Sequence, residues 1–129
     1  MATLELLPRD EQLPQATAFV LAAAQGCSAK TQMALETITE EVFVNIAHYS
    51  GATLARLITQ TEGRALTLTF EDNGTAYDPL QAKEPDVTLD AEHRPIGGLG
   101  IFLVRRLSDG VSYVRTDGLN RLTILKALD

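Results

Sequence analysis

Apolar positions 13, 16, 20, 21 and 24 fall on one helical face of an Ala- and Leu-rich stretch running from Leu13 to Ala24. Gly26 stops that helix, and Ser28 is placed as the N-cap of a second. The second helix is predicted from about Ala29 to Tyr49, because Ala34, Ile38, Val42 and Ile46 recur every four residues and face a core. Ser50-Gly51 ends it. Ahead of both helices, Thr3 to Leu7 is short and apolar and is closed by Pro8, as an edge strand would be. Beyond them the period falls to two. Leu66, Leu68 and Phe70 alternate with Thr67, Thr69 and Glu71, so one strand face is buried and the other polar. Strands are predicted over Leu54–Thr61 and Ala65–Glu71, joined by a hairpin turn at Glu62-Gly63.

From Asn73 to about Pro95 the periodicity fades. Pro79, Pro85 and Pro95 block regular structure, and Glu84, Asp86, Asp90 and Glu92 keep the stretch solvated. A loop this long inside a compact domain is usually functional or disordered. A short helix follows over Leu99–Leu107, then strands over Val111–Arg115 and Leu122–Leu128 with a turn at Asp117-Gly118. The order predicts an α+β fold: a two-layer sandwich with one mixed, mostly antiparallel sheet and helices on one face. The 129 residues amount to one domain over 1–129, with a core that is aliphatic because tryptophan is absent.

Charge narrows the partners. Eleven basic against seventeen acidic residues give a net charge of −6, which repels nucleic acid and leaves no basic stripe. A basic protein or a metal–nucleotide complex is more compatible. The single cysteine, Cys27, excludes an internal disulfide and a cysteine metal cluster. No basic residue precedes Arg9, and the longest apolar stretch, Phe19 to Ala24, is too short to span a bilayer. A cytoplasmic protein without membrane contact is expected.

Three places carry candidate chemistry. Glu41, Asn45 and His48 stand at i, i+4 and i+7 and stack along one side of the second helix. The amide oxygen of Asn45 can take one position on Mg²⁺, and the Glu41 carboxylate can orient or deprotonate a hydroxyl. The plain alternative is a solvated helix face, and His48 is more often a capping or packing residue than a catalyst. Asp72-Asn73-Gly74 ends a strand, where the carboxylate can accept from an exocyclic amine such as that of adenine and Gly74 leaves room for a flat base. The same tripeptide also makes ordinary Asx turns. Gly97-Gly98-Leu99-Gly100 opens a helix, whose free N–H groups favour an anion. It follows a loop rather than a strand and lacks the P-loop lysine, so neither common phosphate fingerprint applies. A glycine hinge is the alternative there.

In combination, the order Glu-x-x-x-Asn, Asp-x-Gly, Gly-x-Gly and a late strand threonine resembles the GHKL ATPase superfamily. It is most similar to the small anti-sigma-factor serine/threonine protein kinases of RsbW type. The matching segments read EEVFVNIAHYSG, FEDNGTAYDP, GGLGIFLVRRLSDGVSY and NRLTILK, and lie within most of the chain, from about residue 36 to 126. The resemblance implies the histidine-kinase-type ATPase fold, with ATP and Mg²⁺ as cofactors. It implies that Asn45 coordinates Mg²⁺, that Glu41 is the catalytic base or positions the attacking hydroxyl, and that Asp72 meets the adenine amine. Thr123 would support that contact through water. Gly97, Gly98 and Gly100 would shape the phosphate turn, Leu99 and Ile101 would supply backbone groups, and residues 73–97 would form the lid. Some relatives carry an arginine just before the Gly-rich turn. Here Pro95 and Ile96 stand there, and the nearest arginine is Arg94.

The function so implied is phosphorylation of a STAS-domain anti-sigma factor antagonist, together with sequestration of a sigma factor. The alternatives are a catalytically weak module that senses ATP against ADP and a structural interaction domain whose glycines are turns. A histidine-kinase catalytic domain carries little weight, since it needs an upstream pair of dimerisation helices. Homodimers are common in the branch. The Leu13–Ala24 helix with Phe19 offers a face for one, although its apolar residues fit a core equally well.

Overall fold

The computed structural model of the chain describes residues 1–81 and 98–129. Among these residues, five strands form one sheet: β1 (Ala2–Leu6), β2 (Ala55–Glu62), β3 (Ala65–Asp72), β4 (Gly110–Thr116) and β5 (Leu119–Ala127). Their spatial order is β1-β2-β3-β5-β4, and all four ladders are antiparallel. Helices α1 (Leu13–Ala22), α2 (Ala29–Tyr49) and α3 (Gly98–Leu107) join the same core cluster as the sheet. The α+β sandwich predicted from the sequence is the fold observed. None of the described helices is long and apolar enough to cross a membrane.

Local chemistry sets the element ends. Ser28 Oγ accepts from the backbone N–H of Thr31 at 3.2 Å, which satisfies one of the free donors at the start of α2. The Asp129 carboxylate closes over this cap, accepting from Ser28 N–H at 3.0 Å and from Ser28 Oγ at 2.5 Å. At the other end Ser50 Oγ donates to Ile46 O, and Gly51 takes φ +70°, a left-handed value that glycine adopts without penalty. The β2–β3 hairpin turns at Gly63-Arg64, one residue later than predicted, because Glu62 still pairs with Ala65. The β4–β5 turn is at Asp117-Gly118 as expected, with both residues at positive φ as a two-residue hairpin requires.

Strand alternation sorts the sheet into two faces. Leu57, Phe70 and Leu122 form one cross-strand row, and Thr59, Leu68 and Ile124 form the next. All six are buried under the helices with Leu35, Ile38, Val42, Phe43 and Val104. Carried one step further, the same face ends in the row Ala55, Asp72, Asn120. The hydrophobic floor therefore runs into two buried polar side chains.

The opposite face carries a charged row in register: Glu5, Arg56, Glu71 and Arg121. Glu71 is only 3% exposed. Its Oε2 accepts from Arg121 Nε at 2.7 Å, its Oε1 accepts from Arg56 Nη1 at 3.4 Å, and Arg56 Nη2 reaches Glu5 at 2.9 Å.

Candidate functional site

A cleft of about 450 Å³ opens between α2, the start of α3 and the ends of β3, β4 and β5. From α2 it receives Glu41, Val42, Asn45, Ile46 and Tyr49, a set at i, i+1, i+4, i+5 and i+8. His48 lies on the flank of that set. Its Nε2 meets Asp10 at 2.8 Å and it does not line the cleft.

Glu41 is partly buried beside the first turn of α3. A side-chain carbon on Gly100 would lie 2.7 Å from Glu41 Oε2, so the bare glycine is what admits the carboxylate there. Burial, and secondarily the charge of Glu40, pushes the Glu41 carboxyl above its ordinary value. An acid raised in this way is a stronger base when ionised. Ile101, one residue on, lines the cleft as part of the core.

The other end of the cleft is built on Asp72, 6% exposed at the end of β3. Its Oδ1 accepts from Gly74 N–H at 2.9 Å and from Asn120 Nδ2 at 3.1 Å. Oδ2 accepts no hydrogen bond among the described residues. The glycine at 74 has a different use from the one expected. A side-chain carbon there would lie 2.5 Å from Ser50 O and 2.9 Å from Asp72 Oδ1. The space is filled by protein, and the glycine lets the chain after β3 press against the end of α2.

Thr123 is separated from Asp72 by strand parity. Asp72 faces Asn120 across the ladder, whereas Thr123 pairs with Thr69, on the face shared with Arg121 and Glu71. The cleft wall on β5 is Asn120 and Leu122, and Thr123 does not line it. Gly98 is the first residue of α3 and Leu99 lies in its first turn. Gly97, Arg94 and residues 82–96 of the expected lid lie outside the described residues.

A profile described as "Histidine kinase-like ATPase domain" matches residues 6–126. The chain belongs to that family. It is 33% identical over 102 residues to the serine/threonine-protein kinase BtrW of Bordetella bronchiseptica, an alignment covering 75% of this chain and 71% of the relative. The crystal structure of the RsbU and RsbW domains of a Mycobacterium tuberculosis protein superposes with a TM-score of 0.62 at 11% identity. That match covers 99% of this chain and 33% of the other, so the chain spans about a third of the length of that solved protein. The histidine kinase-like ATPase domain described here is thus related to the serine/threonine-protein kinase BtrW and shares the fold of the solved protein that contains RsbU and RsbW domains.

The donor set of this ATPase domain bears on the metal its family implies. Among the described residues no group of three or more His, Cys, Asp or Glu side chains could hold an ion. What the cleft offers is the Asn45 amide oxygen, without a hydrogen-bond partner among the described residues, and the Glu41 carboxylate one turn away. Such a sparse, hard-oxygen set fits Mg²⁺, which keeps several waters and takes its remaining ligands from phosphates.

The sequence reading missed Asn120, Tyr113 and Tyr77. Asn120 is 7% exposed and all four of its polar valences are used. Nδ2 donates to Asp72 Oδ1 at 3.1 Å and to Thr75 O at 2.8 Å. Oδ1 accepts from Tyr113 Oη at 2.5 Å and from Tyr77 N–H at 3.3 Å. All three tyrosines of the chain, 49, 77 and 113, line the cleft. Two arginines brace its loop, Arg115 by donating to Gly74 O at 2.8 Å and Arg105 by donating to Leu80 O at 2.6 Å.

Proposed function

We propose that this chain is an ATP-binding anti-sigma factor serine/threonine kinase. It would phosphorylate a STAS-domain antagonist and hold a sigma factor inactive, in the cytoplasm. The observation carrying this reading is that Glu41 and Asn45 share one cleft with Asp72 and the glycine-opened start of α3. The kinase named in the BtrW match supports the same reading.

Asp72 would accept the adenine amine through Oδ2. Gly98 and Gly100 would let the backbone at the α3 N-terminus approach the phosphates, with Gly97, Leu99 and Ile101 contributing N–H groups. Asn45 would hold Mg²⁺, which neutralises phosphate charge when bound. Glu41 would take the proton of the attacking serine hydroxyl, a role favoured by its raised pKa.

The test is incubation with labelled ATP, Mg²⁺ and STAS-domain proteins from the same genome. Label should appear on a serine of the antagonist. Glu41→Gln should cut transfer by about 100-fold or more while leaving ATP affinity within about twofold. Undiminished transfer by that variant would remove Glu41 as the base.

One observation favours a second reading, a nucleotide-sensing switch with little catalysis. Arg105 and Arg115 are both engaged by loop carbonyls, and no arginine directly precedes the Gly-rich turn. A missing cation would weaken transfer more than binding. ATP binding and partner exchange without label transfer is the outcome that selects it.

A further inference from the structure

We infer that Asn120, held by the Tyr113 hydroxyl, is the positioning residue that makes Asp72 a pure acceptor and so sets the choice of adenine over guanine. This rests on the nucleotide-site reading above.

The orientation of the amide is fixed by its neighbours. Tyr77 N–H can only donate and Thr75 C=O can only accept. Flipping the amide would set Nδ2 against the N–H and Oδ1 against both a carbonyl and a carboxylate. Nδ2 must therefore face Asp72. Its bond, with that of Gly74 N–H, occupies Oδ1 and fixes the carboxylate plane. The remaining oxygen, Oδ2, has only lone pairs to offer. An exocyclic amine satisfies it, whereas the carbonyl of a 6-oxopurine at the same place would be repelled.

Asn120 also ties three segments together. The end of β3, residues 75–77 of the following loop and β4 all meet at its amide. The wall that receives the base is thereby held as one unit.

Asn120→Asp tests this with little change of shape. It would put a second carboxylate 3.1 Å from Asp72 Oδ1. Two such groups share a proton between them, which takes charge off Asp72, so that Oδ2 accepts an amine less strongly and repels a guanine carbonyl less. Affinities for ATP, GTP and ADP would be measured by titration calorimetry, with circular dichroism to confirm folding. The ATP affinity of Asn120→Asp should fall roughly 30-fold and its ATP:GTP ratio roughly tenfold, with the ATP:ADP ratio within about twofold of wild type. Tyr113→Phe, which removes only the hydroxyl that seats the amide, should shift the ATP:GTP ratio the same way by about threefold.

A residue that merely supports the fold would lower ATP and GTP affinity together. An unchanged ATP:GTP ratio in folded variants overturns the inference and leaves the nucleotide site standing. If Asn120→Asp does not fold, Tyr113→Phe decides alone. Wild-type protein that binds neither ATP nor GTP overturns both the inference and the reading beneath it.

Discussion

Glu71 and Asp72 are neighbours in sequence, both carboxylates and both buried, yet they point to opposite faces of the sheet. Glu71 is closed: two arginine side chains occupy its two oxygens and a second acid extends the row. Asp72 is open: neutral donors occupy one oxygen, and the other is left in a cleft. A buried acid matched by cations has its charge cancelled within the fold and has little left for a ligand. A buried acid seated by neutral donors on one oxygen has its other oxygen without a partner among the described residues, which suits it to recognition.

The largest effect expected from this contrast is on ligand affinity. Asp72→Ala should weaken ATP binding by about 100-fold, roughly 2.7 kcal/mol, because it removes a charge-assisted hydrogen bond and leaves Asn120 Nδ2 short of a partner. Glu71→Ala should leave that affinity within about twofold. Comparable losses in the two variants, measured by calorimetry, would erase the distinction.

Stability should respond in the reverse order. Glu71→Gln leaves Arg121 without the carboxylate it pairs with and Arg56 with Glu5 alone, and is expected to cost about 1–3 kcal/mol in urea unfolding. The figure sits below that for a fully buried pair because Arg56 and Arg121 are part-exposed, at 38% and 43%. Asp72→Asn should cost less than this in the absence of ligand.

Acid titration extends the comparison to two further carboxylates at smaller amplitude. Asp129 accepts from the Ser28 hydroxyl and N–H, which holds its carboxyl down to about 2, against 3.8 for a free aspartate. A depressed acid stabilises the fold above its unfolded value and loses that contribution as pH falls toward the folded one. Asp129→Asn should therefore flatten the stability profile between about pH 4 and pH 2. Glu41 has the opposite sign: its raised carboxyl favours the fold below the unfolded value, and that contribution is lost as pH rises through the folded one. Glu41→Gln should then be slightly more stable than wild type at neutral pH, by thermal unfolding.

Much of the architecture was legible because local chemistry and burial agree. The four-residue apolar spacing and the Ser28 cap located α2 at Ala29–Tyr49 without error. Leu66, Leu68 and Phe70 announced the buried face of β3 by alternation alone. The site was legible where it follows one element's periodicity, as with Glu41 and Asn45. It failed where residue type was followed instead of parity. Thr123 was chosen as a late strand threonine, but Leu122 and Ile124 are the buried positions of β5, and two residues before Leu122 stands Asn120. That same alternation pointed to the asparagine. His48, read as more often a capping or packing residue than a catalyst, stands outside the cleft and meets Asp10. The partners of Asn120 come from three separate segments, a convergence that no local pattern encodes.

The opening of α3 sets two demands against each other. Glycine weakens a helix by roughly 0.5–1 kcal/mol relative to alanine, and α3 begins with glycine at 98 and again at 100. Firming that turn with a methyl at 100 would set a carbon 2.7 Å from the Glu41 carboxylate and drive the acid aside. A sturdier helix onset and an undisturbed Glu41 carboxylate thus compete at a single carbon atom.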